Sequence, residues 1–425
     1  MSRQAKIRLK QGVRRLAPSQ LKALVQRRWR KFQRKRAGLA HEVLTFEPRP
    51  GTEVRGDVLV AYIIDAFALK DGPEPVPLDK VPYSHTQWWE SLQIVQTFLD
   101  MGYRVDAIDW RNTEFRPTKP YRIALDVRIL LQHWAPHLSD DCIKIFHAET
   151  AHCSFHNPAQ TRRLDDLEKR RGRRLAPSKM IEDHQSVEVA DAVIVLGEDA
   201  PFTPSTYESF GKPVFPIPIS TPVTWPELDR DIDRVRKRYV WFGSGGLVHK
   251  GLDLVLEAFA GMPDYHLTVC GPISQEGDFE REYWQELYET PNIHLHGWVD
   301  ITTQTFVDLM KDHLGLVFTS CSEAQCGGVL TCMHAGLIPV VSYETGVPVT
   351  VESGEPERGL ELKHSDVPAI QDAVRRLSSM DDETLKSMSH ATWSHVQSRH
   401  VREVFAEEYR RVVEKIVAGV GADDG

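Results

Sequence analysis

The chain is poor in the features that mark secreted or membrane-spanning proteins. It has six cysteines in 425 residues: Cys142, Cys153, Cys270, Cys321, Cys326 and Cys332. No two form a CxxC pair, so neither a disulfide scaffold nor a zinc ribbon is expected. No stretch reaches the ~18 apolar residues of a membrane span. The best, residues 58–64, meets Asp65 and reads as a buried strand. No secretory leader is evident, and a cytoplasmic chain with reduced thiols is the expectation. A strand-linked GxGxxG with a downstream acidic ribose contact is also missing, which argues against a nicotinamide-dependent oxidoreductase. There is no short-period repeat or low-complexity tract.

Acidic residues are absent from residues 1–40, which hold 14 Lys and Arg. The remainder has 38 basic against 60 acidic residues, a net of −22. Trp29 and Phe32 are interleaved with the arginines and lysines of this arm. A helix from Pro18 to about Arg36 would have one apolar and one strongly basic face. Such a helix suits an anionic membrane surface, which would place the protein peripherally on the inner face. The alternative is a solvated basic tail with only nonspecific nucleic-acid contact; no specific nucleic-acid partner is expected.

After the arm, apolar runs alternate with helical spacing. Residues 57–66, 103–110, 142–146, 192–197 and 214–219 read as strands. Residues 85–100, 123–132 and 159–174 read as helices, the last as a charged surface helix. Strand, helix, glycine, strand is a βαβ unit, and its repetition argues for a mainly parallel sheet covered on both faces. A Pro- and charge-rich segment, 223–238, reads as a linker. A second series follows, with strands at 239–242, 266–270, 293–296, 314–319 and 338–342. The expected organisation is an arm (1–40), a first α/β domain (41–222), the linker, a second α/β domain (239–388) and a closing helix (389–425) that crosses back to the first domain.

Two glycine-rich turns stand out. Gly243, Ser244, Gly245 and Gly246 follow a strand, with Lys250 just beyond. Ser322-Glu323 follows another strand, and Gly327-Gly328 opens a helix behind Cys326. In an open parallel sheet, ligands bind where strands end. Glycine lets backbone approach a phosphate, and lysine brings a point charge. Glu323 would repel a phosphate but can accept hydrogen bonds from sugar hydroxyls. A nucleotide-diphosphate sugar combines both demands. For Glu323 the plainer alternative is an acidic residue placed by the helix macrodipole.

The segment from Lys250 to Phe259 resembles the "KG-x-D-x-L-x-x-A-F" string of family-4 glycosyltransferases of the GT-B fold. Residues 267–272 and 293–299 are similar to two glycine-ended strands of that family. Ser322-Glu323 and residues 333–341 resemble its "SE-x-F-G…EAMA-x-G-x-P-V-V" string. Upstream, residues 191–197 resemble its "AD-x-V-I" strand. The resemblance implies two Rossmann-like, doubly wound domains facing a cleft, and retaining transfer of a sugar to a glycan or lipid-linked acceptor. It implies no cofactor beyond the nucleotide sugar, and no metal. Lys250 would neutralise the leaving diphosphate, and Glu323 would hold the sugar. Gly271, Trp298, Val299, Val329 and Thr331 would line the donor site with the glycine turns and Cys326. His147 would face the donor sugar, with His152 or His156 as substitutes, and His85 would lie on the acceptor side. The family's usual arginine is missing from positions 244–246, and its second glutamate is Thr331 here. These departures leave open a catalytically weakened sugar-nucleotide-binding protein. A zinc site at His147, His152, Cys153 and His156 is disfavoured because its spacing fits no common pattern.

Overall fold

A computed structural model describes residues 42–69, 86–198, 200–351 and 356–420. The basic arm and His85 lie outside the described residues. Among the described residues, no helix is long and apolar enough to cross a membrane.

Two sheets organise the chain. The first contains β1 (Val43–Phe46), β2 (Asp57–Tyr62), β3 (Arg104–Asp109), β4 (Ile123–Asp126), β5 (Ile143–Ala148), β6 (Ala192–Leu196) and β7 (Val214–Ile217). Their spatial order is β1-β3-β2-β4-β5-β6-β7, all parallel except the antiparallel edge strand β1. The second contains β8 (Arg238–Phe242), β9 (His266–Cys270), β10 (Ile293–Leu295), β11 (Gly315–Phe318), β12 (Ile338–Ser342) and β13 (Leu360–Leu362). It is wholly parallel, in the order β10-β9-β8-β11-β12-β13. Setting β1 aside, the first sheet follows the doubly wound order 2-1-3-4-5-6 and the second the order 3-2-1-4-5-6, with switch points between β2 and β4 and between β8 and β11.

The strands are near-continuous apolar runs because both faces of each sheet are covered. Six helices matter for the site: α1 (Thr86–Asp100), α2 (Cys153–Arg171), α3 (Leu252–Ala260), α4 (Gly327–Met333), α5 (Asp382–Arg399) and α6 (Arg402–Val420). Between α5 and α6 the chain breaks at His400, whose carbonyl accepts the Thr221 N–H at 3.2 Å. Beyond it, Phe405, Tyr409, Val412, Val413 and Ile416 of α6 are buried in the core of the first domain.

Two local expectations need correction. Residues 123–132 were expected to be helical, but Ile123–Asp126 is the central strand β4, and helix begins only at Leu130. A fully buried strand has an apolar run with no strand period, which a helix can mimic. Residues 159–171 are helical, charged and partly exposed, but they are the later part of α2, which starts at Cys153 in the first domain, ends at Arg171 and buries Leu164 and Leu167 in the core of the second. Arg170 on this helix reaches Asp253 of α3 at 2.6 Å and Glu257 at 3.0 Å. Arg171 reaches Glu286 at 2.7 Å. The segment 223–238 is also packed, for Arg230 is buried and its Nε donates to the His313 carbonyl at 3.1 Å.

Candidate active site

The loops after β8 and β11 flank the switch point of the second sheet, and they bring the two key side chains together. The Lys250 ammonium donates directly to Glu323 Oε1. Ser320 Oγ donates to the same oxygen at 3.1 Å. Glu323 Oε2 takes no bond from any described group. Lys250 is 8% exposed, and its Nζ lies 5.4 Å from the centre of the Phe318 ring. Burial opposes charge on both partners, but their mutual attraction overrides it. The Lys250 pKa is raised, and that of Glu323 is lowered to about 2. Both stay ionised around neutral pH.

His249, which the sequence analysis did not single out, braces the two loops. Its Nε2 donates to the Ser322 carbonyl at 2.6 Å, and its own carbonyl accepts the Cys321 N–H at 2.9 Å. Burial pushes its pKa down to about 3, so the ring is neutral. The Glu323 N–H donates to the Glu344 carbonyl at 2.9 Å, which fixes the carboxylate's own backbone.

The first domain reaches over this pair. His156 on α2 meets Ser322 Oγ at 3.0 Å through Nδ1, and its ring lies 4.8 Å from that of His249. Its Nε2 donates to the Lys179 carbonyl at 2.7 Å. Arg163 donates to the Thr319 carbonyl at 2.8 Å, and Thr203 to that of Ala324 at 2.6 Å. On the same side Arg128 pairs with Glu149 at 3.1 Å.

His147 is elsewhere. Although it sits on β5, it is fully buried between the rings of Tyr62 (5.9 Å) and Tyr409 (5.7 Å). Neither ring nitrogen has a hydrogen-bond partner among the described residues. Burial pushes its pKa down to about 4. It therefore does not face the Lys250–Glu323 pair, and His156 is the first-domain histidine that approaches it, through Ser322. The four-residue zinc grouping does not form either. His152 and Cys153 instead approach His184, with ligand atoms within 4.8 Å of one another.

The glycines divide by role. A Cβ on Gly243 would lie 2.6 Å from the Trp241 ring, and one on Gly271 would lie 2.8 Å from the Gly243 carbonyl oxygen. Both serve close packing at the strand ends. Gly243 N–H bonds Cys270 O, and Gly271 N–H bonds Gly297 O, each at 3.0 Å, so three strand-end turns lie side by side. The Gly246 and Leu247 N–H groups are already taken by the Glu276 carboxylate, the Leu247 bond being 3.2 Å to Oε2. Gly245 and Ser244 lie in the same turn. Gly328 packs against the Phe242 carbonyl, whereas Gly327 faces more open space, with Thr86 Oγ1 4.0 Å from its ideal Cβ. Cys326 and Val329 are buried. Thr331 spends its hydroxyl proton on the Gly327 carbonyl at 2.7 Å. Val299 is buried and Trp298 is 49% exposed.

Residues 236–380 match the family model "Glycosyl transferases group 1". This match spans about a third of the chain and lies in the second domain. With the domain before it, this domain completes a GT-B fold, as similar solved structures show. Sucrose-phosphate synthase from Thermosynechococcus elongatus is 14% identical; the match covers 86% of this chain and 100% of that one, with a TM-score of 0.58. Anabaena HepE in complex with UDP and glucose is 12% identical, with 86% and 100% covered and a TM-score of 0.50. TarM is 12% identical, with 69% of this chain and 54% of TarM covered and a TM-score of 0.47. The match thus spans about half of TarM's length. No curated protein sequence matches the chain.

Proposed function

We propose that the chain transfers a sugar from a nucleotide-diphosphate donor to a glycan or lipid-linked acceptor, with retention of anomeric configuration and no resident metal. The ion pair of Lys250 and Glu323 at the switch point of the domain that matches the group 1 family model carries this reading. As the bond from the sugar to the diphosphate stretches, negative charge builds on the leaving oxygen. A preorganised ammonium in a water-poor site stabilises that charge as a divalent cation would. Lys250 has three N–H donors and uses one on Glu323, so it can also meet a phosphate oxygen. Glu323 Oε2 is available to accept from a sugar hydroxyl. The acceptor enters on the same face as the departing diphosphate, from the first domain's side.

UDP sugars are the first donors to test, because the HepE structure holds UDP and glucose. Activated sugars of UDP, GDP and ADP should be incubated with the protein and the released nucleoside diphosphate measured. Release with at least one of them is the expected result. A second reading, a binding protein without turnover, is favoured by two observations: Thr331 is committed to Gly327, and Glu276 covers two turn amides. It predicts ligand-induced stabilisation without release.

A further inference from the structure

We infer that Lys179, from the first domain, supplies a second positive charge to the donor's diphosphate by lying across Gly246 of the second domain. This rests on the donor reading above. A nucleoside diphosphate leaves with roughly three negative charges at neutral pH. Lys250 alone does not balance them, because its charge is already shared with Glu323. The glycine turn contributes no cationic side chain, and its Gly246 and Leu247 amides are held by Glu276. Arg128 is paired with Glu149. Lys179 makes no ion pair among the described residues.

Its placement is specific. A Cβ on Gly246 would lie 2.6 Å from Lys179 Cγ and 2.9 Å from Cε. Any other residue at 246 would push the lysine stem off the turn, and the φ of +91° there disfavours one as well. The backbone that carries Lys179 is pinned from several sides. His156 Nε2 holds its carbonyl at 2.7 Å, while the same ring meets Ser322 beside Glu323. Asn157 makes two bonds to Ile181, at 2.8 and 2.9 Å. Asp278 of the second domain accepts the Ala176 N–H at 3.0 Å. Burial, followed by the charge of Lys250, lowers the ammonium's pKa, while Glu323 and Glu276 pull it back up, so the ammonium lies among the groups of the site. Because the lysine belongs to the opposite domain, full neutralisation of the diphosphate requires the two domains to be in contact.

The test is titration calorimetry of the full chain with UDP, GDP and ADP and with the matching nucleosides. For whichever diphosphate the wild type binds, Lys179→Gln should weaken affinity by ~10-fold or more. Nucleoside affinity should change less than ~2-fold, and Lys179→Arg should restore most of the loss. The melting temperature of ligand-free Lys179→Gln should match wild type, which separates a binding role from a structural one. Wild-type diphosphate affinity in Lys179→Gln overturns the inference and leaves the donor reading intact. If the wild type binds none of the three diphosphates, the donor reading itself falls, and this inference with it.

Discussion

Lys250 and Glu323 stand 73 positions apart in the chain, yet their charged atoms are in direct contact at the junction of two strand-end loops. Each makes the other's burial tolerable. Removing one partner leaves a buried charge alone, which costs about 3 kcal/mol or more. Lys250→Ala and Glu323→Ala should therefore each lower stability, and the double variant should lose less than the sum. Each single variant should also cut kcat/KM by roughly 100-fold or more with the accepted donor. Denaturant melts and initial rates on all three proteins check both statements.

His147 offers an opposite expectation. Its two ring nitrogens are buried without partners, so an apolar residue of similar size removes an unmet polar demand. His147→Leu should keep its transfer rate within about twofold and should not lower the melting temperature. A collapse of turnover with folding intact would return His147 to the chemistry.

Acid should unfold the protein in a particular pH window. His147, His249, His313, His334 and His400 are all buried, and burial lowers each pKa from 6.5 to about 3 or 4. The unfolded chain then binds more protons than the native one below pH 6.5. Each histidine costs up to about 1.4 kcal/mol of stability per pH unit down to its folded value. Glu323, with its pKa lowered from 4.5 to about 2, adds a further loss only between those values. Unfolding free energy should fall steadily from pH 6.5 to 5, with net proton uptake on unfolding. A flat profile there would contradict the buried-histidine account.

Arg170 tests the bridge made by α2. Its partner Asp253 is fully buried, with Oδ1 unpartnered. Arg170→Ala should destabilise the chain by about 3 kcal/mol and should speed proteolysis between the domains. Arg174→Ala, whose ion pairs are exposed, should do neither.

Much of the second domain is legible in the sequence because strand, glycine turn and helix recur there at short range. The Lys250 and Glu323 assignments come from such local strings, and the fold places the two side by side. The first domain is harder to read. His147 lies in a strand whose neighbours on both faces are apolar, and a one-residue change of register decides which side it faces. Residues 123–126 look helical for the same reason. The part played by α2 is invisible in one dimension, because Leu164 and Leu167 show that it has an apolar face but not which domain that face meets. Lys179 and Glu276 lie in segments without periodicity, and only the folded chain sets them against Gly246. His249 could have been noticed as the immediate neighbour of Lys250.

The most direct measurement is a crystal structure of the full chain with UDP-glucose or another accepted nucleotide sugar. The account predicts a diphosphate oxygen ~3 Å from Lys250 Nζ and a sugar hydroxyl on Glu323 at hydrogen-bond distance. A donor bound with its diphosphate away from Lys250, or its sugar away from Glu323, would contradict it.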